Sequence, residues 1–241
     1  MSAPGEPLNG GAVLELWERA AGLDAPGRAV LLAACTGGGA DEPLGTHHAR
    51  LLRLHASAFG PGVGMTATCP GCGDEVEFEL DATALAGQAR ALACDPVLTD
   101  GFHVTWRSPT PADLSSAACA PDPEDELLRR CVVAAIDGSG RDVSPPDLPS
   151  GVREAVSAAM AAADPLAEVL VELLCPACGS PFFAEVDVPG LVWAEVEAVA
   201  RRVLLDVDEL ARAYGWTEAD VLQLSDARRA AYLRIIRDGL P

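Results

Sequence analysis

Two stretches decide how this chain folds: Thr68-Cys69-Pro70-Gly71-Cys72-Gly73-Asp74-Glu75-Val76-Glu77-Phe78-Glu79-Leu80-Asp81 and Leu174-Cys175-Pro176-Ala177-Cys178-Gly179-Ser180-Pro181-Phe182-Phe183-Ala184-Glu185-Val186-Asp187. Both carry C-P-x-C-G, and the likeness runs past the cysteines. Glu79 matches Glu185, Leu80 matches Val186, and Asp81 and Asp187 each lie twelve residues beyond their first cysteine. Leu85 and Leu191 also share one offset. Each copy reads as a strand, a knuckle, a second strand and the start of a helix, with incoming strands at 65–68 and 169–174 and outgoing ones at 76–80 and 182–188.

The chemistry needs this arrangement. In C-x-x-C the two sulfurs can face one ion, while proline and glycine shape a tight turn whose amides point at the thiolates. Two such turns brought together make a closed four-thiolate site, the structural kind of zinc site, with Cys69, Cys72, Cys175 and Cys178 as ligands. A lone C-x-x-C is compatible with a thioredoxin-like redox motif. Two matched copies favour structural Zn2+ over redox or disulfide chemistry, and four thiolates leave no open position for a catalytic metal. The spacing is wide, because 102 residues separate Cys72 from Cys175. The expectation is therefore a ribbon split by an insertion, its ion stapling remote parts of one chain; separate intermolecular sites are the alternative.

Outward from these motifs, composition sets the class. The 241 residues are 49% hydrophobic and 22% charged, which is globular composition and enough chain to bury a core. Acidic residues number 36 against 17 basic ones, all arginine, for a net charge of −19. That balance argues against nucleic acid and against an anionic membrane surface as partners. No apolar stretch has membrane-span length, and the first ten residues do not read as a signal peptide, so the expected location is cytoplasmic. Residues 61–189 hold 21 acidic and 6 basic side chains, whereas each flank is only −2. A solvated acidic surface accounts for this; a basic partner facing the ribbon is the sharper reading.

The rest of the chain reads as mostly helical. Helices are expected at 12–23, 27–35 and 46–59, then at 111–119, 124–136 and 151–163. Thr110-Pro111 forms an N-cap with proline at the first helical position. Residues 102–106 alternate like a strand that joins the ribbon sheet, and 138–149 reads as an exposed proline-rich loop. Val192, Val196, Val199, Val203, Val207, Leu210 and Tyr214 recur every three or four residues, one face of a long helix ended by Gly215. Thr217 or Trp216 starts another helical turn, with Asp220 three residues after Thr217, and Ser225 caps the final helix. The expected class is α+β, mostly helical: a helical segment at 1–63, a split zinc ribbon at 64–188 with a helical insertion at about 108–164, and a helical tail at 189–241.

Enzyme signatures are missing: there is no G-x-S-x-G, no P-loop and no H-E-x-x-H. His47, His48, His55 and His103 attract no convergent cysteine or carboxylate pattern, and surface or partly buried positions suit them. Cys35, Cys94, Cys119 and Cys131 lie in apolar stretches and read as small buried hydrophobes. No nucleophile is nominated and no small-molecule substrate is expected, so the chain reads as a non-enzyme.

A C-P-x-C-G knuckle followed by Glu75-Val76-Glu77-Phe78-Glu79-Leu80-Asp81, the Asp164-Pro165 to Glu168 stretch, the second knuckle and a tail reading YGWTEADVLQLSDARRAAYL together resemble the zinc-knuckle baseplate family. That family belongs to contractile phage tails and phage-tail-like contractile injection systems, and is similar to the T-even phage baseplate hub-assembly proteins. Residues 51–60, Leu127 to Cys131 and Trp193-x-Glu195 extend the likeness to roughly residues 10–240. The resemblance implies a cytoplasmic protein that builds, or sits in, a baseplate beside tail-tube, spike or tape-measure proteins. It implies the four cysteines as ligands of structural zinc. It also makes Tyr214, Trp216, Arg228 and Arg229 candidates for partner contact, with core packing or a solvated helix end as the other explanation. The Gly-rich 36–45 and proline-rich 138–149 segments depart from the family pattern. A zinc-ribbon adaptor for another cytosolic protein, or a thiol redox enzyme, are the competing readings.

Overall fold

The computed structural model describes residues 10–239. The fold is α+β and about half helical, with ten α-helices and three small antiparallel sheets among the described residues. None of these helices is long and apolar enough to cross a membrane. The chain divides into two compact units: residues up to Leu23 together with those from Leu191 onward, and Asp24–Gly190.

In the larger unit, α2 (Ala25–Cys35) and α3 (Leu44–Ala58) precede hairpin β1 (Gly62–Thr68) and β2 (Glu75–Asp81), which ends on the short α4 (Ala82–Ala86). Next come β3 (Val97–Thr99), β4 (Phe102–Trp106), α5 (Pro111–Ala117), α6 (Pro123–Cys131), β5 (Val132–Ile136) and α7 (Ser150–Ala163). Hairpin β6 (Leu170–Leu174) and β7 (Pro181–Glu185) closes the unit. The N-cap at Thr110 is a full capping box: Thr110 Oγ1 accepts from the Asp113 amide, and Asp113 accepts from the Thr110 amide.

Three expectations about this region are corrected. Residues 102–106 do form a strand, but β4 does not join the ribbon; it is the centre of a separate β3-β4-β5 sheet. The helix expected over 124–136 stops at Cys131, and its last five residues form β5. The six-residue apolar run 131–136 satisfies either period, and the β-branched pair Val132-Val133 tips it toward the strand that pairs with β4. Val104, Trp106, Val132 and Ala135 point from this sheet onto Leu128, Leu148, Val152 and Val156, giving the insertion its own core. Leu148 is therefore buried within the segment read as an exposed loop, which also holds a 3-10 turn at Pro145–Asp147.

The other unit contains α1 (Gly10–Ala20), α9 (Glu218–Leu222), α10 (Asp226–Asp238) and, from Leu191, the body of α8 (Val188–Tyr214). Val192, Val196, Val203 and Leu210 are buried as the periodicity predicts, while Ala200 takes the fully buried place beside the less buried Val199. Gly215 stops α8 at φ +70°, a conformation that costs a side-chain-bearing residue about 1 kcal/mol or more. Leu210, Val221 and Leu233 form the centre of the tail, with Trp216, Tyr232 and Ile236 around them.

Candidate metal centre

The two hairpins are built alike. In one, Thr68 pairs with Glu75; in the other, Leu174 pairs with Pro181, so each pair of strands is joined by a six-residue loop that begins at the first cysteine. The loops close with the same two hydrogen bonds. Cys69 N–H donates to Asp74 O at 2.8 Å and Gly73 N–H to Cys69 O at 2.9 Å; Cys175 N–H donates to Ser180 O at 3.0 Å and Gly179 N–H to Cys175 O at 2.9 Å. Gly73 and Gly179 hold φ of +82° and +73°, which is why each motif ends in glycine.

Strand alternation then aims one face of each hairpin at the other. Ala67, Val76 and Phe78 from the first meet Leu173, Phe182 and Ala184 from the second, and Cys69 and Cys175 sit in the same cluster. This packing brings together four cysteines from opposite ends of a 102-residue excursion. Their sulfurs lie within 4.8 Å of one another. Cys69 Sγ is 3.7 Å from Cys178 Sγ, and Cys72 Sγ is 3.6 Å from Cys175 Sγ. These separations are far beyond the roughly 2.05 Å of a disulfide. They match the edge of about 3.8 Å that four sulfurs make when each is about 2.3 Å from a central ion. The set can therefore hold one metal ion in a closed tetrahedron.

Electrostatics divide the thiols of the cluster. The Ser180 hydroxyl and amide, with help from Cys72 and Cys175, bring the Cys178 thiol down to about 6. The Asp74 amide favours a Cys72 thiolate, but hydrogen bonding with Cys175, desolvation and the other two thiols push Cys72 up to about 12. Without a cation the thiols compete for ionisation; a divalent ion at the centre reverses that competition. Cys69 and Cys175 are buried and Cys72 and Cys178 exposed, so each knuckle contributes one inner and one outer sulfur.

Elements around the hairpins set their register. Asp81 accepts hydrogen bonds from the Thr83 and Ala84 amides at 2.8 and 2.9 Å, and Asp187 accepts from Gly190 N–H at 3.0 Å. The matched aspartates of the repeat are thus helix caps, one starting α4 and the other α8. On the return leg, buried Asp164 takes the Gly45 amide at 3.0 Å and the Ser108 hydroxyl at 2.9 Å on one oxygen. Two residues later, Leu166 O lies 2.7 Å from His48 Nδ1, which donates to it. The N-terminal turn of α3 therefore anchors the segment that delivers Cys175.

Other predicted residues fall elsewhere. Tyr214 and Trp216 stack at 4.7 Å between centroids, and both rings meet Tyr232 edge-on. Arg229 is buried and paired with Asp206 at 3.1 Å and Asp226 at 2.8 Å, so it braces α8 against α10; Arg228 is exposed. Of the spare cysteines only Cys131 is buried, and its thiol is pushed up to about 11, by burial first and then by Asp113. Cys35, Cys94 and Cys119 are exposed, contrary to expectation, because each lies in or beside a helix end or loop rather than on a packed face. The histidines are also corrected. His47, His48 and His55 lie on the inward side of α3 and are buried; only His103 is exposed. Asp164, Ser108 and Gly45 escaped sequence reading because their spacing of 56 to 119 residues carries no local signal. The chain matches no protein-family model, no curated protein and no solved structure.

Proposed function

We propose that this chain is a non-enzymatic binding scaffold whose two knuckles form a split zinc ribbon, and that it serves baseplate assembly in a contractile injection system. The observation that carries the scaffold reading is the closed set of four sulfurs from two matched hairpins. Cys69, Cys72, Cys175 and Cys178 would hold one Zn2+, which supplies a covalent-like tie and no open coordination position for a substrate. Closing a loop of 102 residues costs roughly 4 kcal/mol of chain entropy, whereas structural zinc binding contributes about 10–16 kcal/mol. The tie therefore outweighs the closure, and both hairpins, each only two strands wide, gain the support that isolated hairpins lack.

The baseplate assignment rests on the resemblance of the knuckles and the YGWTEADVLQLSDARRAAYL tail. It makes tail-tube, spike or tape-measure proteins the expected partners, in the cytoplasm. Native mass spectrometry of the protein purified gently from its own host tests both parts together. One zinc per chain with tail proteins attached is the expected result. One zinc with an unrelated partner would replace the baseplate assignment by a general adaptor. A metal-free mass with paired cysteines would overturn the ribbon itself and move the weight to thiol redox chemistry.

A further inference from the structure

The internal repeat provides a control within the chain. Both hairpins use the same register and knuckle, and both bury their inner faces in one cluster. Their outer faces differ. On the first hairpin, Gly64, Thr66 and Thr68 stand opposite Glu79, Glu77 and Glu75, an exposed and wholly polar surface. At the matching positions the second hairpin places Leu170 opposite Glu185, Glu172 opposite Phe183 and Leu174 opposite Pro181. Leu170, Leu174 and Phe183 are 50%, 67% and 66% exposed. Since the first copy makes the same hairpin with Gly, Thr and Glu there, the fold does not require these large apolar side chains. Such a cluster left in water by a chain that has a polar alternative marks an interaction surface.

The charges on the face select its occupant. Glu172 and Glu185 are interleaved with the three apolar residues, and neither hairpin carries an arginine. A second copy docked about a two-fold axis would set these carboxylates against their own images, which disfavours self-association. We infer that the outer face of β6-β7 is the docking surface for a heterologous protein segment that alternates or interleaves apolar side chains with arginine or lysine. Leu170, Leu174 and Phe183 supply the apolar contacts, while Glu172, between Leu170 and Leu174 and opposite Phe183, and Glu185, opposite Leu170, supply the charge that pairs with the partner's cations. This inference rests on the scaffold reading but not on the baseplate assignment.

Titration of 15N-labelled, metal-loaded protein with synthetic ten-residue peptides tests it. The probes are an alternating Arg-Leu peptide, a Ser-Leu peptide of the same length and an Arg-Ser peptide. Saturable shifts at 170–174 and 181–185 with Arg-Leu, absent or much weaker with the other two, are expected. In the Leu174→Thr/Phe183→Glu variant, which installs the residues of the first copy, affinity should fall about tenfold or more while metal content and the remaining spectrum stay unchanged. Shifts centred on Glu75, Glu77 and Glu79, or equal binding of Arg-Ser, would reduce the effect to bulk charge and overturn the proposal. Concentration-dependent dimerisation through 170–185 without peptide would overturn the choice of occupant. Because metal content is read on the same samples, failure of the ribbon and failure of the docking face give different results.

Discussion

Gly45→Ala provides a sharp test of how the second cysteine pair is positioned. Gly45 is the second residue of α3, where alanine normally stabilises a helix by up to about 1 kcal/mol over glycine. Here a Cβ would overlap Asp164 Oδ1 and lie 2.6 Å from Asp164 Cγ, and Asp164 is buried. The carboxylate must move, and in moving it gives up the Gly45 amide and the Ser108 hydroxyl together. Hydrogen bonds to a charged group contribute about 1.5–3 kcal/mol each. Allowing for partial rearrangement and the propensity gain, the net destabilisation should be about 2–4 kcal/mol. Urea unfolding of Gly45→Ala, Asp164→Ala and the double variant measures it as a cycle. In the Asp164→Ala background the alanine at 45 meets no carboxylate, so its effect should vanish or turn mildly stabilising. An equal loss in both backgrounds would refute the reasoning, as would stabilisation of the parent by Gly45→Ala.

Three further outcomes rest on named contacts. His47 is fully buried with neither ring nitrogen hydrogen-bonded; Glu42 Oε1 is 3.8 Å from its Nδ1, and His48 is its ring neighbour. Burial, then the charge of His48, lowers its pKa to about 4, so the unfolded chain binds the extra proton first and stability falls as pH drops from 6.5 to 4, by at most about 3 kcal/mol. Asp113, held at about 2 chiefly by Arg107, titrates below that window, and denaturation of His47→Leu beside the parent at pH 6.5, 5.5 and 4.5 should show a shallower loss in the variant. Gly73→Ala and Gly179→Ala force alanine into positive φ in matched loops; each should cost about 1–2 kcal/mol and weaken metal affinity roughly tenfold, equally for both, in a competition titration with a chromophoric chelator. Arg229→Ala strips the cation from Asp206 and Asp226 and should lower the stability of the tail by about 3 kcal/mol, read from Trp216 fluorescence during denaturation, while metal content stays at the parental level.

The candidate site was legible because its signal is local. C-P-x-C-G followed by alternating residues dictates a turn, a glycine at positive φ and a strand within fourteen residues, and the second copy repeats every element of the first. Helix caps were legible for the same reason: Thr110 with Asp113 and Thr217 with Asp220 act across three residues. What stayed hidden depends on partners distant in sequence. Buried histidines on α3 look polar in the sequence, and only packing of the unit shows that His48 is satisfied by Leu166 while the ring nitrogens of His47 and His55 are enclosed without hydrogen bonds.

The same distinction explains why the insertion departs from the pattern its sequence suggests. An apolar run at 131–136 has no period of its own, and its preference emerges only when a partner strand exists. That partner, β4, was visible, but β3 is three residues long and too short to alternate recognisably, so nothing suggested a second sheet. Once β3, β4 and β5 pair, Val104, Trp106 and Ala135 face α7 and form a core that contains no residue of the knuckle cluster. The insertion therefore has hydrophobic support of its own. The hairpins have only a few apolar residues between them, so under the scaffold proposal they are the part of the larger unit that the four sulfurs would hold together. Metal removal should accordingly release the hairpins while leaving the β3-β4-β5 core folded. Hydrogen exchange with and without chelator would show this as lost protection at 62–81 and 170–185 and retained protection at 102–106 and 152–160. Equal loss across both regions would mean that the insertion too is held by the cysteine cluster.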